Sequence, residues 1–286
     1  MKIRDILAKN EPTLSFEVFP PKTEDKYESV EMAASEIAKL NPAFMSVTYG
    51  AGGGTSQYTV DIAASLKAKG VTPLAHLTCV SSTREKVHSV LEQLKEQRGL
   101  RMYWLVRGDI PKDGKVENDY RYASELIAEI KASGDFCIGA ACYPEGHVES
   151  VNKTEDIQHL KEKVEAGCDF ATTQMFFDNN ILYNYLYRVR EKGITVPVIA
   201  GIMPVTNVAQ IKRICSMSGT YLPARFKAIV DRFGDNPAAM KQAGIAYATE
   251  QIIDLIANHV NGIHVYSMNK PDVAAQIQNS LSEIIR

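Results

Sequence analysis

Leu14-Ser15-Phe16-Glu17-Val18-Phe19-Pro20-Pro21 reads as a short β-strand cut off by two prolines. The apolar, aromatic run favours a strand, and proline brings no N–H to a ladder. Glu17 stands out in it. A carboxyl group between two phenylalanines is partly desolvated, which raises a carboxyl pKa. A carboxyl kept protonated near neutral pH can hand a proton to a bound molecule. The plainer alternative is a strand-end carboxylate that points into water or pairs with a lysine, since charged residues are rarely buried.

Outward from this segment the same rhythm repeats. Strands are expected at Leu14–Phe19, Phe44–Tyr49, Pro73–Cys79, Met102–Arg107, Phe136–Tyr143, Phe170–Met175, Val196–Ile202 and Gly262–Tyr266. Helices are expected near 25–40, 57–69, 83–98, 120–133, 153–167, 179–192, 206–218 and 237–259, with an extra piece near Pro223–Phe233. Pro271–Ile285 closes the chain, with proline in a first helical turn. Several strand runs lack clean alternation, as strands covered on both faces do. Strand–helix units repeated along 286 residues predict one α/β domain over 1–286, a (β/α)8 TIM barrel. A doubly wound sheet would carry Gly-x-Gly-x-x-Gly after a strand, and the sequence has none. Gly50-Ala51-Gly52-Gly53-Gly54-Thr55 is a single loop rather than a linker.

Composition narrows the partners. The chain is 45% hydrophobic and 23% charged, with a net charge of −2. Without a basic run it lacks the electrostatic footprint of a nucleic-acid binder. No apolar stretch reaches membrane-spanning length, and the start has no apolar signal-peptide core. The five cysteines are odd in number and contain no Cys-x-x-Cys, so neither a disulfide framework nor a zinc site is indicated. Buried reduced thiols and a cytoplasmic location are expected.

A barrel carries its chemistry at the carboxyl ends of its strands. There the sequence places Glu17, Thr48-Tyr49, His76, Arg107-Gly108-Asp109, Tyr143-Pro144-Glu145-Gly146-His147, Thr172-Thr173-Gln174 and Tyr266-Ser267-Met268-Asn269-Lys270. Each has a plainer reading. His76 is also a satisfied core histidine, Arg107 and Asp109 also a surface pair in a turn, and the glycine loop also a simple connection. No metal-ligand spacing, no Gly-x-Ser-x-Gly elbow and no lysine inside a strand occurs. Carboxylates, amides, aromatics and a few cations without a nucleophile can bind and protonate. Redox or covalent chemistry then needs a cofactor.

The chain resembles the flavin-dependent bacterial methylenetetrahydrofolate reductases over almost its whole length. Seven segments carry the resemblance: Phe16–Pro21, Ser46–Ala51, His76–Cys79, Arg107–Asp109, Tyr143–His147, Thr173–Asp178 and Gly201–Val205. The resemblance implies a TIM barrel in which FAD, recharged by NADH or NADPH in ping-pong fashion, reduces 5,10-methylenetetrahydrofolate to 5-methyltetrahydrofolate. It implies Glu17 as the general acid and Asp109 as the aspartate between flavin and pterin. Gln174, Gln210 and Lys270 match folate contacts, the last an arginine–lysine exchange among relatives. Thr48 and Tyr266 match the pocket shared by folate and nicotinamide. Flavin contacts are implied for Tyr49, Ala51, His76, Arg107, Gly108, Asp109, Tyr122, Ala123, Tyr143, His147, Asp156, His159 and Lys163. The last three share a helix face by their spacing, although a solvated face has the same spacing. Arg107 and Lys163 would face a pyrophosphate. The position of an adenine-stacking phenylalanine in some relatives is Ile214 here. The donor therefore stays open among NADH, NADPH and an iron-sulfur partner protein. A homo-oligomer and a place in methionine biosynthesis are also implied. Two other readings are a pterin-binding transferase without flavin and a flavin-binding subunit of a larger electron-transfer complex.

Overall fold

The computed structural model describes residues 1–49, 56–79, 83–93, 102–106 and 119–285. They form a single α/β domain around a curled, all-parallel, TIM-barrel-like sheet. Its strands are β1 (Thr13–Val18), β2 (Met45–Val47), β3 (Pro73–Thr78), β4 (Met102–Val106), β5 (Cys137–Cys142), β6 (Phe170–Thr173), β7 (Val198–Ile202) and β8 (Gly262–Val265). Each pairs with the next in sequence, and β8 returns to β1 through Thr13 opposite Gly262 and Phe16 opposite Val265. The intervening helices are α2 (Tyr27–Ala38), α3 (Ser56–Ala68), α4 (Arg84–Glu92), α5 (Ala123–Ala132), α6 (Lys153–Glu165), α7 (Asn179–Glu191), α8 (Val208–Ser218), α9 (Ala224–Phe233) and α10 (Pro237–Ala257). Helix α11 (Pro271–Ser280) follows β8, and a short α1 (Ile3–Leu7) precedes β1.

Strands β1, β2, β3, β5, β6 and β8 end one or two residues before the expected limits, and β7 ends at the expected Ile202. Phe19, Thr48, Tyr49, Tyr143, Gln174 and Tyr266 lie beyond the last residue of their strand. The chain leaves the ladder there to build the mouth of the barrel. Helix α1 was not expected. It has five residues, shorter than the window that periodicity needs, and it buries Ile3 completely at the opposite end.

The strands also alternate more cleanly than the sequence suggests. Leu14, Phe16 and Val18 join the layer between sheet and helices, as do Met45, Val47, Ala75, Leu77, Ile263 and Val265. Phe44, Leu74, Cys137, Phe170 and Ile199 form the second cluster, inside the barrel. Period-two geometry then turns Ser15, Glu17, Ser46, His76 and His264 inward. The expected shelter of Glu17 by two phenylalanines is therefore corrected, because Phe16 faces the helices. The interior is tight. A Cβ on Gly139 would stand 2.5 Å from the Phe170 ring, so β5 crosses close to that ring only as glycine.

Cys137, Cys142, Cys168 and Cys215 are free thiols, and Cys79, Cys137, Cys142 and Cys168 are buried. Among the described residues no helix is long and apolar enough to cross a membrane.

Candidate active site

At the carboxyl end the barrel interior changes from apolar to polar. Glu17 is 5% exposed. Its Oε2 lies 3.3 Å from Ser46 Oγ, 3.5 Å from His76 Nε2 and 4.0 Å from His264 Nε2. Ser46 Oγ is also 3.0 Å from His264 Nε2, and His264 Nδ1 is 2.8 Å from Ser15 Oγ. Ser15 donates its proton to the carbonyl of Ile263 at 2.9 Å, so its oxygen accepts from His264 Nδ1–H. That leaves Nε2 of a neutral ring as an acceptor for Ser46, whose own oxygen can take a proton from Glu17. The reverse polarity, with Ser46 donating to a Glu17 carboxylate and Nε2 donating to Ser46, contains the same number of protons when the His264 ring carries both of its N–H protons. The Glu17–Ser46–His264–Ser15 row can therefore redistribute a proton without solvent. His264 is fixed further by stacking on Phe44 at 5.5 Å and 10°.

Burial pulls the His76 imidazole down to about 4, against the attraction of Glu17 and with the repulsion of His264 added. His76 is therefore neutral near pH 7. Tyr266 is buried and donates its hydroxyl to the carbonyl of Thr173 at 2.6 Å. Burial, aided by Glu17, raises that phenol well above its ordinary value. With its hydroxyl committed to the backbone, Tyr266 offers a ligand its ring rather than a proton. A Cβ on Gly201 would come within 2.5 Å of this hydroxyl, so the contact needs glycine on β7.

Next to this polar interior lies a cleft of about 1520 Å³, above the usual range for a single drug-sized ligand. Thr48, Tyr49, Tyr143, His147, Gln174, Gln210 and Lys270 line it. Gln174 is oriented by its own loop, accepting from Met175 N at 3.0 Å. Asn207 caps α8 by accepting from Gln210 N at 2.7 Å. The Gln210 carboxamide accepts from Thr206 N at 3.2 Å, while Lys270 Nζ donates to Thr206 Oγ1 at 2.6 Å. Thr206 thus brings Gln210 and Lys270 together from two elements. Asn269 joins the two ends of the chain here. It accepts from Phe19 N at 2.8 Å and donates to Phe19 O at 2.9 Å. Ser267 donates to the Glu17 carbonyl at 2.9 Å.

A second cavity of about 420 Å³ shares the Tyr143–His147 wall. Tyr122, Ala123, Asp156, His159 and Lys163 line it, so the spacing on α6 reflects a lining and not a solvated face. Tyr122 stacks near His159 at 5.8 Å and 23°. Lys163 Nζ donates to the Ala141 carbonyl at 2.9 Å and lies 5.7 Å from the Tyr143 ring centre. Burial lowers the Lys163 pKa, with Cys142 and Asp156 opposing. Burial raises the Asp156 pKa, chiefly against Lys163 and a backbone N–H from His147. Cations, stacked rings and a carboxyl suit the phosphates, bases and ribose hydroxyls of a nucleotide-like group.

Of the expected site residues, Ala51, Arg107, Gly108 and Asp109 lie outside the described residues. The remainder collect around the two cavities and the interior that adjoins them. Ser15, Ser46, His264, Thr206 and Asn269 gain roles that sequence reading did not give them. The first three had a signal in Leu14–Val18, Met45–Thr48 and Ile263–Tyr266, where polar residues occupy every second position.

Residues 2–282 match the family model described as methylenetetrahydrofolate reductase. The chain belongs to the methylenetetrahydrofolate reductase family. Among relatives bearing that name, the 5,10-methylenetetrahydrofolate reductase of Escherichia coli (strain K12) is 33% identical, over 94% of this chain and 90% of its own. That of Pectobacterium carotovorum is 32% identical, over 94% of this chain and 89% of its own. The Arabidopsis thaliana methylenetetrahydrofolate reductase (NADH) 1 is 32% identical over 99% of this chain, which spans only 50% of that longer relative. In fold, this methylenetetrahydrofolate reductase family member is similar to an uncharacterised Clostridium thermocellum protein that binds two copies of 5-methyl-5,6,7,8-tetrahydrofolic acid. The TM-score is 0.66 at 14% identity, covering 99% of this chain and 98% of that one. It is also similar to a Xanthomonas albilineans dihydropteroate synthase, with a TM-score of 0.53 at 14% identity and coverages of 96% and 93%.

Proposed function

We propose that the chain reduces 5,10-methylenetetrahydrofolate to 5-methyltetrahydrofolate, using FAD that a reduced nicotinamide recharges. The observation that carries this is the inward carboxyl of Glu17, adjoining a folate-sized cleft and backed by the Ser46–His264–Ser15 row. Family membership supplies the reaction class. FAD, when bound, supplies the hydride. The Tyr122–Lys163 cavity suits its adenosine and pyrophosphate, and the neighbouring cleft its flat ring.

The remaining chemistry falls to side chains. The substrate's one-carbon bridge joins two nitrogens, and protonation of N10 releases one of those bonds. Glu17 is the donor, held in place by Ser46 and His264, and it regains a proton from solvent once the product leaves the cleft. The cation that develops on the one-carbon unit wants a fixed negative charge nearby, the role proposed for Asp109. Gln174 and Gln210 present amides suited to the pterin edge, and Lys270 a charge suited to the glutamate tail. Neutral His76 keeps a second cation away from the reacting carbon. One closed (β/α)8 barrel is the fold proposed for this site, and the β1–β8 pairing supports it.

Purified protein is expected to be yellow and to bleach anaerobically with reduced nicotinamide. Methylenetetrahydrofolate should then restore the colour, with one equivalent of methyltetrahydrofolate formed. Colourless protein that takes up no added FAD would overturn the proposal. Bleaching by a reduced iron-sulfur protein alone would change the donor and leave the folate reaction standing.

A further inference from the structure

The backbone ladder between β1 and β8 ends with Phe16 opposite Val265, one residue short of Glu17. Beyond it, side chains take over. Ser267 Oγ donates to the Glu17 carbonyl at 2.9 Å. The Asn269 carboxamide accepts from Phe19 N at 2.8 Å and donates to Phe19 O at 2.9 Å, copying one rung of a ladder. On the other flank the backbone pairing itself continues, with Thr48 N donating to Val18 O at 3.0 Å. Phe19 carries the last N–H before Pro20 and Pro21, so it is the final donor by which this end of the strand can be fastened.

The Glu17 carboxyl is not held by its own contacts, which are long at 3.3, 3.5 and 4.0 Å. Its place beside the cleft therefore follows from where its backbone is fixed. Met268 and Asn269 both lie in the left-handed region, at φ 55° and 54°. Consecutive non-glycine residues there are strained, and such strain persists where the surroundings over-determine it. Here the strained turn brings the carboxamide back to Phe19. Asparagine tolerates the left-handed region better than most residues, so backbone conformation alone is the competing reason for its presence.

We propose that Asn269 is a positioning residue for the proton donor, acting through the Phe19 and Glu17 backbone to set where the Glu17 carboxyl stands. This deepens the proposed reaction and rests on Glu17 being its acid. No bond to Asn269 forms or breaks, and no proton passes through it. Releasing the Phe19 rung frees the end of β1 to shift, and a misplacement of about 1 Å costs about a hundredfold in rate.

Asn269→Gly removes the carboxamide and keeps a residue at ease in the left-handed region. With anaerobically reduced protein, flavin reoxidation by methylenetetrahydrofolate is compared with reoxidation by a soluble quinone, which has no leaving nitrogen to protonate. The folate-to-quinone rate ratio at saturation should fall about a hundredfold in Asn269→Gly, with KM for folate changed less than about threefold. Asn269→Asp keeps an acceptor for Phe19 N but no donor for Phe19 O. It should lower the ratio about tenfold, and it carries the test if the glycine variant does not fold. Combined with Glu17→Gln, the two losses should not multiply, because both pass through one group. In the absence of any cofactor, the Phe19 amide should be protected from hydrogen exchange in the wild type and exchange at least about tenfold faster in Asn269→Gly. An unchanged ratio in the folded variants, losses that multiply, or a Phe19 amide unprotected in the wild type would each overturn the assignment. A wild type reoxidised by the quinone but not by methylenetetrahydrofolate would instead overturn the proposed reaction, and this inference with it.

Discussion

Two carboxylates at opposite ends of the barrel are held in contrasting ways. Asp169, before β6, accepts from Arg4 Nη1 at 3.1 Å, Lys131 Nζ at 2.7 Å and Ile138 N at 2.8 Å. Its needs are met by the protein alone. Glu17 is more deeply buried, yet its contacts are a hydroxyl at 3.3 Å and imidazole nitrogens at 3.5 and 4.0 Å. These are long for strong hydrogen bonds. One end is built to be complete, the other to be completed by something that binds. The same division separates stability from chemistry in barrels generally.

The contrast can be broken most forcefully at Glu17. Glu17→Gln keeps the shape and removes the transferable proton. Flavin reduction should persist while methylenetetrahydrofolate reduction falls by at least about a thousandfold, near 4 kcal/mol in the barrier. The melting temperature should stay within a few degrees. Stopped-flow measurement of each half-reaction reads both, and normal folate turnover would remove Glu17 from the mechanism.

At the other end the signature should invert. Asp169→Ala strands Arg4, Lys131 and the Ile138 N–H. With the cations partly solvated, the cost is about 2–3 kcal/mol. Urea unfolding should show that loss while kcat per folded molecule is unchanged. A change in kcat larger than the change in stability would blur the distinction.

The last contrast is with pH. His76 has a folded pKa of about 4, below its ordinary 6.5, so the unfolded chain binds the extra proton first. Its contribution is fully present above about 6.5 and is lost as pH falls toward about 4, by at most about 3 kcal/mol. His76→Asn should flatten that limb of a stability-against-pH curve. An unchanged slope would mean the acid loss arises elsewhere.

How much of this could be read from residues alone depends on distance along the chain. Period and punctuation are local, so the strand positions were legible to within a few residues. So was the gathering of Tyr143, His147, Gln174 and Lys270 at one end, once parallel strands were assumed. Glu17 was legible as a candidate, but its surroundings were not. Its neighbours are set by registers such as Glu17 opposite Ser46, which no local pattern reveals. His264 sat in plain sight between Ile263 and Val265, and only closure of the sheet puts it beside Ser15. Helix α1 was missed for want of length.

The Asn269–Phe19 clamp and the β1–β8 seam have a consequence for biosynthesis. The residues that surround Glu17 from the far side, 264 to 269, leave the ribosome some 250 positions later, a delay of roughly 12–50 s at about 5–20 residues per second. Throughout that interval the first strand has an unpaired edge, a template for unwanted pairing. Nascent chains of this protein should therefore depend on chaperone shelter until β8 emerges, and the interior around Glu17 should take shape only then.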